Sequence, residues 1–201
     1  MKDSFQVLNE MADAGVIKTY AIGGAIGAAF YIEASETADI DVFVLYSVEP
    51  PPFQELRPIY SYLKERGFRS KNEHVAIHDW DVQFLLTEPN SLREEAVTNA
   101  NVFEFEGVKV RVILPEYLVA DMLAIGRLKD MVRARTFLDD TAVDIDALEI
   151  LIHRFGLEEK WKKINQLRHA REPVKQTSSG CKSRKTDRKS ILFAIGENCH
   201  C

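Results

Sequence analysis

Two pairs of residues in one short stretch have the types and spacing for phosphoryl chemistry: Gly23-Gly24 and Asp39-Ile40-Asp41. Residues i and i+2 of a strand project to one face. Asp39 and Asp41 therefore point together, while Ile40 and Val42 turn into a core. Two carboxylates that close repel each other and desolvate badly unless a cation or hydrogen-bond donors compensate. Mg2+ or Mn2+, held by oxygen ligands, is the natural compensation. Two such ions about 3.5–4 Å apart activate an attacking hydroxyl and stabilise a leaving pyrophosphate. The glycines supply the other half, because a bare backbone admits close approach and a helix starting behind it presents free N–H groups to a phosphate. Each signal has an ordinary explanation, a turn for the glycines and a solvated strand end for the aspartates. Their conjunction is more specific: a double glycine, 14 residues, then D-I-D opening an apolar strand.

The elements that must position these residues follow from periodicity. Phe5, Leu8, Met11 and Ala12 predict a helix over residues 4–14, stopped by Gly15. Residues 17–22 read as a strand, 25–32 as a closely packed helix of small and apolar residues, and 40–46 as a central strand ended by Pro50, Pro51 and Pro52. Residues 53–66 carry a helical stripe of Leu56, Ile59, Tyr60 and Leu63, closed by Gly67. Residues 68–77 lead into a strand over 78–86, in which Asp79, Asp81 and Gln83 alternate with Trp80, Val82 and Phe84. A short helix runs to Asn99, and residues 103–113 alternate around Gly107 as a hairpin. From Pro115 four helical patterns cover 116–126, 128–139, 144–155 and 157–169. The expected fold is α+β, a small mixed sheet with helices followed by a helical bundle. The expected division is an α/β domain over 1–114, a helical domain over 115–170 and a basic, irregular tail over 171–201.

Composition narrows the class. The 201 residues include 46% apolar ones, as in an ordinary globular chain, and no apolar run approaches the roughly 18 needed to cross a bilayer. The N-terminus reads as an amphipathic helix rather than a signal peptide, and the expectation is a cytoplasmic protein without membrane contact. The three cysteines, Cys181, Cys199 and Cys201, suggest no disulfide scaffold, and Cys199-His200-Cys201 is too tight for an ordinary zinc site. The net charge of −5 conceals an asymmetry: residues 1–159 carry −13 and residues 160–201 carry +8. Such a tail can meet a polyanion, RNA included, or fold against the acidic body, and many basic tails do neither specifically.

Residues 20–45 resemble the signature of the nucleotidyltransferase superfamily that includes DNA polymerase beta, tRNA CCA-adding enzymes and aminoglycoside nucleotidyltransferases. The resemblance lies in Gly23-Gly24, Phe30-Tyr31, Thr37-Ala38-Asp39-Ile40-Asp41 and a later Arg127-Leu128-Lys129-Asp130. Over length it fits best the stand-alone nucleotidyltransferase-like proteins related to toxins of type IV toxin–antitoxin systems, and it covers about residues 15–165. It implies that Gly23, Gly24 and Lys129 bind the nucleotide, that Asp39 and Asp41 hold Mg2+ or Mn2+, and that an NTP is the substrate. It further implies a nucleotidyltransferase-type sheet and, as a possible partner, an antitoxin-like protein.

The family's third carboxylate should fall within residues 81–85, directly before a hydrophobic pair, and this position holds Gln83. Glutamine brings no charge and cannot act as a base. Asp81 is the available substitute catalytic carboxylate, on the same strand face but about 7 Å away, two strand rises. Ala25-Ile26 also departs from the family, where a small hydroxyl residue often follows the glycines. The expected function is Mg-dependent transfer of a nucleoside monophosphate from an NTP to a hydroxyl of RNA, protein or a small molecule. The alternative is a catalytically impaired nucleotide-binding or toxin–antitoxin-type interaction protein. Arg127 is a second phosphate candidate, Thr37 is expected to shape the turn, and His74 and His78 are expected at the surface.

Overall fold

The computed structural model describes residues 1–33, 36–46, 56–140 and 143–169. The triple proline at 50–52, the start of the helix at Phe53, the basic tail and its cysteines lie outside the described residues. Seven strands form one mixed sheet: β1 (Thr19–Ile22), β2 (Asp39–Leu45), β3 (Arg69–Lys71), β4 (His74–Ile77), β5 (Trp80–Leu86), β6 (Asn101–Phe105) and β7 (Val108–Val112). Their order is β3-β4-β5-β2-β1-β7-β6. β2 runs parallel to β5 and β1 parallel to β7, and the other pairs are antiparallel. The helices are α1 (Lys2–Asp13), α2 (Gly24–Ala29), α3 (Arg57–Glu65), α4 (Leu92–Thr98), α5 (Pro115–Ile125), α6 (Leu128–Asp139), α7 (Ile145–Arg154) and α8 (Glu158–His169). The expected α+β class, a small mixed sheet followed by helices, is what the chain adopts. None of the helices among the described residues is long and apolar enough to cross a membrane.

Period two divides the central strands between two cores. Tyr20, Ile22, Ile40, Val42, Val44, Val82 and Phe84 face one side, where Phe5, Leu8 and Met11 of α1 and Ile59 and Leu63 of α3 cover them. Ala21 and Phe43 face the other side and pack with Leu118, Met122, Phe137 and Ile152 of the later helices. Burying an aliphatic or aromatic side chain is worth about 1.5–3 kcal/mol, so strands loaded on both faces keep their register. Asp39 and Asp41 share the face of Phe43, beyond the edge of that second core.

The largest departure from the expected elements lies at residues 68–79. A single approach to one strand is replaced by a meander of β3, β4 and β5 through two-residue turns, with Lys71 opposite His74 and Ile77 opposite Trp80. The turns place Asn72 at φ +55° and His78 at φ +54°. Asn-Glu and His-Asp lack the glycine that usually marks such a turn, which is why the sequence did not disclose them.

α2 lies unusually close to the sheet. A Cβ on Gly27 would stand 2.7 Å from the carbonyl oxygen of Ile22, against backbone that has nowhere to retreat. Gly27→Ala is therefore expected to cost about 1–3 kcal/mol, the usual penalty for overpacking, despite alanine's better helix propensity. Urea unfolding followed by circular dichroism measures it, and an unchanged midpoint would contradict the close packing.

Candidate active site

β2 carries Asp39 and Asp41 at its beginning, on the face that looks toward α5 and α6. They stand in a cleft of about 410 Å3, whose lining includes Gly24, Thr37, Gln83, Arg127, Lys129 and Arg133. Gly23 donates its N–H to the carbonyl of Asp41 at 2.9 Å, so the strand pairing of β1 with β2 continues into the glycine turn. Gly24 then takes φ +54°, where L side chains are strained. A Cβ there would overlap the Asp41 carboxylate, and one on Gly23 would overlap the Phe43 ring. The double glycine is required by what stands against it.

Asp39 is oriented from two directions. The Thr37 hydroxyl donates to its Oδ1 at 2.7 Å, and His74 Nε2 stands 3.8 Å from its Oδ2. Thr37 thus hydrogen-bonds at the site in addition to lying in the turn, and His74, expected at the surface, is a partly exposed residue standing against Asp39. Asp41 is the more buried carboxylate. Burial, and then the charge of Asp39, push its carboxyl above the ordinary carboxylate value, against the pull of Lys129, Arg127 and Arg133. Those cations come from the end of the α5–α6 connection and the first turns of α6. Arg127 flanks the N-terminus of α6 and donates Nε to Asp130 Oδ2 at 2.7 Å, with the Asp130 side chain only 5% exposed. The Arg-Leu-Lys-Asp sequence thus makes a pinned corner at the helix start. Lys129 and Arg133, one turn apart, line the cleft from it.

The β2–β5 pairing is continuous, with Asp39 opposite Asp81 and Asp41 opposite Gln83. Gln83 lines the cleft. Asp81 is exposed and is not among the cleft-lining residues. Gln83 Nε2 reaches Glu73 Oε2 at 3.4 Å, outward from the aspartates. His78 is exposed in its turn. Arg93 of α4 was not singled out in the sequence: it lies 5.0 Å over the Phe43 ring and donates to Asp121 of α5 at 2.7 Å. This pair lines the main cleft and also an adjoining one of about 340 Å3, which includes Leu86, Glu88, Ser91 and Ile125. Nothing local to Arg93 or Asp121 announces the pairing of residues 28 apart.

Among the described residues no three His, Cys, Asp or Glu side chains gather closely enough to enclose a metal ion. Asp39 and Asp41 nevertheless fit one hard divalent cation. They offer oxygen donors on one face, and Asp41 carries an electrostatic penalty that a cation would relieve. Magnesium usually takes one or two carboxylates and completes its shell with water and substrate phosphates.

No family model matches the chain, and no curated protein matches it. Solved structures do. The solution structure of the antibiotic-resistance factor ANT(2'')-Ia is 16% identical, with 83% of this chain and 96% of that chain covered and a TM-score of 0.45. The crystal structure of ANT(2'')-Ia with adenylyl-2''-tobramycin is 14% identical, with 79% and 99% covered and a TM-score of 0.46. An antigenic nucleotidyltransferase-like protein from Paracoccidioides brasiliensis is 13% identical, with 69% and 75% covered and a TM-score of 0.45. Similarity of this size carries no functional inference by itself.

The raised Asp41 carboxyl has a measurable consequence. A carboxyl lifted in the folded state favours folding while protonated, and that contribution is lost as pH rises through its folded value. In a chelator at neutral pH, Asp41→Asn is therefore expected to be more stable than the unaltered chain, and the advantage should vanish in acid. Adding Mg2+ or Mn2+ should raise the unfolding midpoint of the unaltered chain and leave the variant unmoved. Denaturant titrations at two pH values, with and without the ion, test the sign.

Proposed function

We propose that the chain is a metal-dependent nucleotidyltransferase, moving a nucleoside monophosphate from an NTP to a hydroxyl acceptor. The observation that carries this reading is the opposition across one cleft of Asp39 and Asp41 on β2 to Lys129, Arg127 and Arg133. A magnesium–nucleotide complex has that same polarity, a cation beside a row of phosphate anions. In this reading Asp39 and Asp41 hold the divalent ion, which when bound would neutralise charge developing on the phosphates. The backbone at Gly23-Gly24 lies against the triphosphate, and Lys129 binds its outer phosphates, with Arg127 and Arg133 adding to the positive field. The acceptor oxygen forms a bond to the α-phosphorus, the bond to pyrophosphate breaks, and the hydroxyl proton leaves to solvent or a base. The adjoining cleft past Arg93 and Asp121 is the side from which an acceptor would approach.

Gln83 favours a second reading in which binding outlasts catalysis. It stands opposite Asp41, where a carboxylate would serve as base, and it is neutral. Asp81 is two residues earlier on β5, opposite Asp39, and on that strand would have to replace it as the base for full activity. The chain is accordingly read as a slow enzyme, or as a nucleotide-binding member of a toxin–antitoxin-type pair. An RNA acceptor rests on the basic residues 160–201 alone, and an antitoxin-like partner on the motif resemblance alone.

Incubation with NTPs and Mg2+ is expected to release pyrophosphate slowly, and Asp41→Asn to release none; equal release by both would sink the mechanism. Lys129→Ala should weaken NTP binding about tenfold, or about 1.4 kcal/mol, as measured by calorimetry. If Gln83 limits the rate, Gln83→Glu should raise release about a hundredfold, the lower end of a general base's contribution. If Asp81 already acts as the base, Asp81→Asn should abolish release and Gln83→Glu should add little.

A further inference from the structure

We infer that Glu36 is the base of the proposed transfer: its carboxylate takes the proton of the attacking hydroxyl, in place of the β5 carboxylate that Gln83 lacks. The inference rests on the nucleotidyltransferase reading of the Asp39/Asp41 cleft. What it adds comes from which carboxylates reach that cleft. Among the described residues five do: Glu36, Asp39, Asp41, Asp121 and Asp130. Asp81 is not in the lining, and neither is His74, although its ring stands against Asp39.

Four of the five are already engaged. Asp121 accepts from Arg93 and Asp130 from Arg127, each at 2.7 Å, so both are committed to a guanidinium group. Asp39 and Asp41 are the pair assigned to the divalent ion. Glu36 is exposed and has no hydrogen bond or ion pair among the described residues. A carboxylate at the rim of a cleft can take a proton inside it and hand that proton to solvent, as repeated turnover requires. The next residue sets its place. Thr37 donates its hydroxyl to Asp39 Oδ1 at 2.7 Å, which ties the connection between α2 and β2 to the first aspartate and keeps Glu36 in the cleft lining. In the step proposed, the hydroxyl oxygen forms a bond to the α-phosphorus as the bond to the bridging oxygen breaks. Pyrophosphate leaves with that electron pair, and the hydroxyl proton passes to a carboxylate oxygen of Glu36. Gln83, being neutral, cannot take it.

The test uses the full chain with NTP and Mg2+, and water as the attacking hydroxyl. Glu36→Ala is expected to lower pyrophosphate release about a hundredfold, with NTP binding by calorimetry unchanged. Added formate, a small carboxylate that fits the space the side chain leaves, is expected to restore part of the rate in Glu36→Ala and none in the unaltered chain. Glu36→Asp, which keeps a shorter carboxylate, should retain more of the rate than Glu36→Ala. Glu33→Gln removes an exposed charge from the same connection outside the cleft and is expected to leave release unchanged. Three results would overturn the role of Glu36 and leave the Asp39/Asp41 reading standing: full release by Glu36→Ala, a loss that formate fails to restore, or an equal loss in Glu33→Gln. No release by the unaltered chain, or equal release by Asp41→Asn, would overturn both.

Discussion

The Asp41 carboxylate occupies the space in which a side chain at position 24 would lie. Much of the local architecture depends on that exclusion. Position 24 favours glycine, because a Cβ would meet the Asp41 carboxylate and a φ of +54° strains L side chains. With the turn fixed there, β1 stays paired with β2 as far as Gly23, and α2 starts against the sheet. The carboxylate is in turn held out of bulk water beside a second one, a strained arrangement without a cation. Lys129, Arg127 and Arg133 offset part of the strain from across the cleft.

Much of this was legible in the residues. Strand period placed Asp39 and Asp41 on one face and Ile40 and Val42 on the other, and β2 is arranged so. The four C-terminal helices fall within a residue or two of their apolar stripes, because Pro115, Gly126 and Asp144 punctuate them: Pro115 in the first turn of α5, Gly126 at φ +75°, and Asp144 capping Ala147 N at 3.1 Å. What escaped was mostly non-local. The β3–β4–β5 meander turns at residues with no strong turn chemistry, so His74 could not be placed beside Asp39. The Arg93–Asp121 pair depends on how α4 and α5 pack. Thr37 was within sight, two residues before Asp39, but which way its hydroxyl turns is a matter of the folded loop.

The third position shows how a single neutral residue redistributes roles. A carboxylate at 83 would lie opposite Asp41 and add a third negative charge to a pair that already repels. Gln83 avoids that repulsion and brings no charge that could accept a proton. The continuous register from Asp39↔Asp81 to Val44↔Leu86 leaves no bulge by which Asp81 could slip into its place. In the proposed reaction a carboxylate on a neighbouring strand or loop would have to take that role, or transfer would proceed without it.

The two clefts share an ion pair, Arg93 with Asp121, beside the apolar Ile125. Arg93 has one close carboxylate partner in Asp121, and both residues line both cavities. An anionic ligand that draws Arg93 to itself on one side leaves Asp121 uncompensated on the other. Were both clefts to take ligands, the affinity of each would then depend on what filled its neighbour. Thermodynamic reciprocity requires the influence to run equally in both directions.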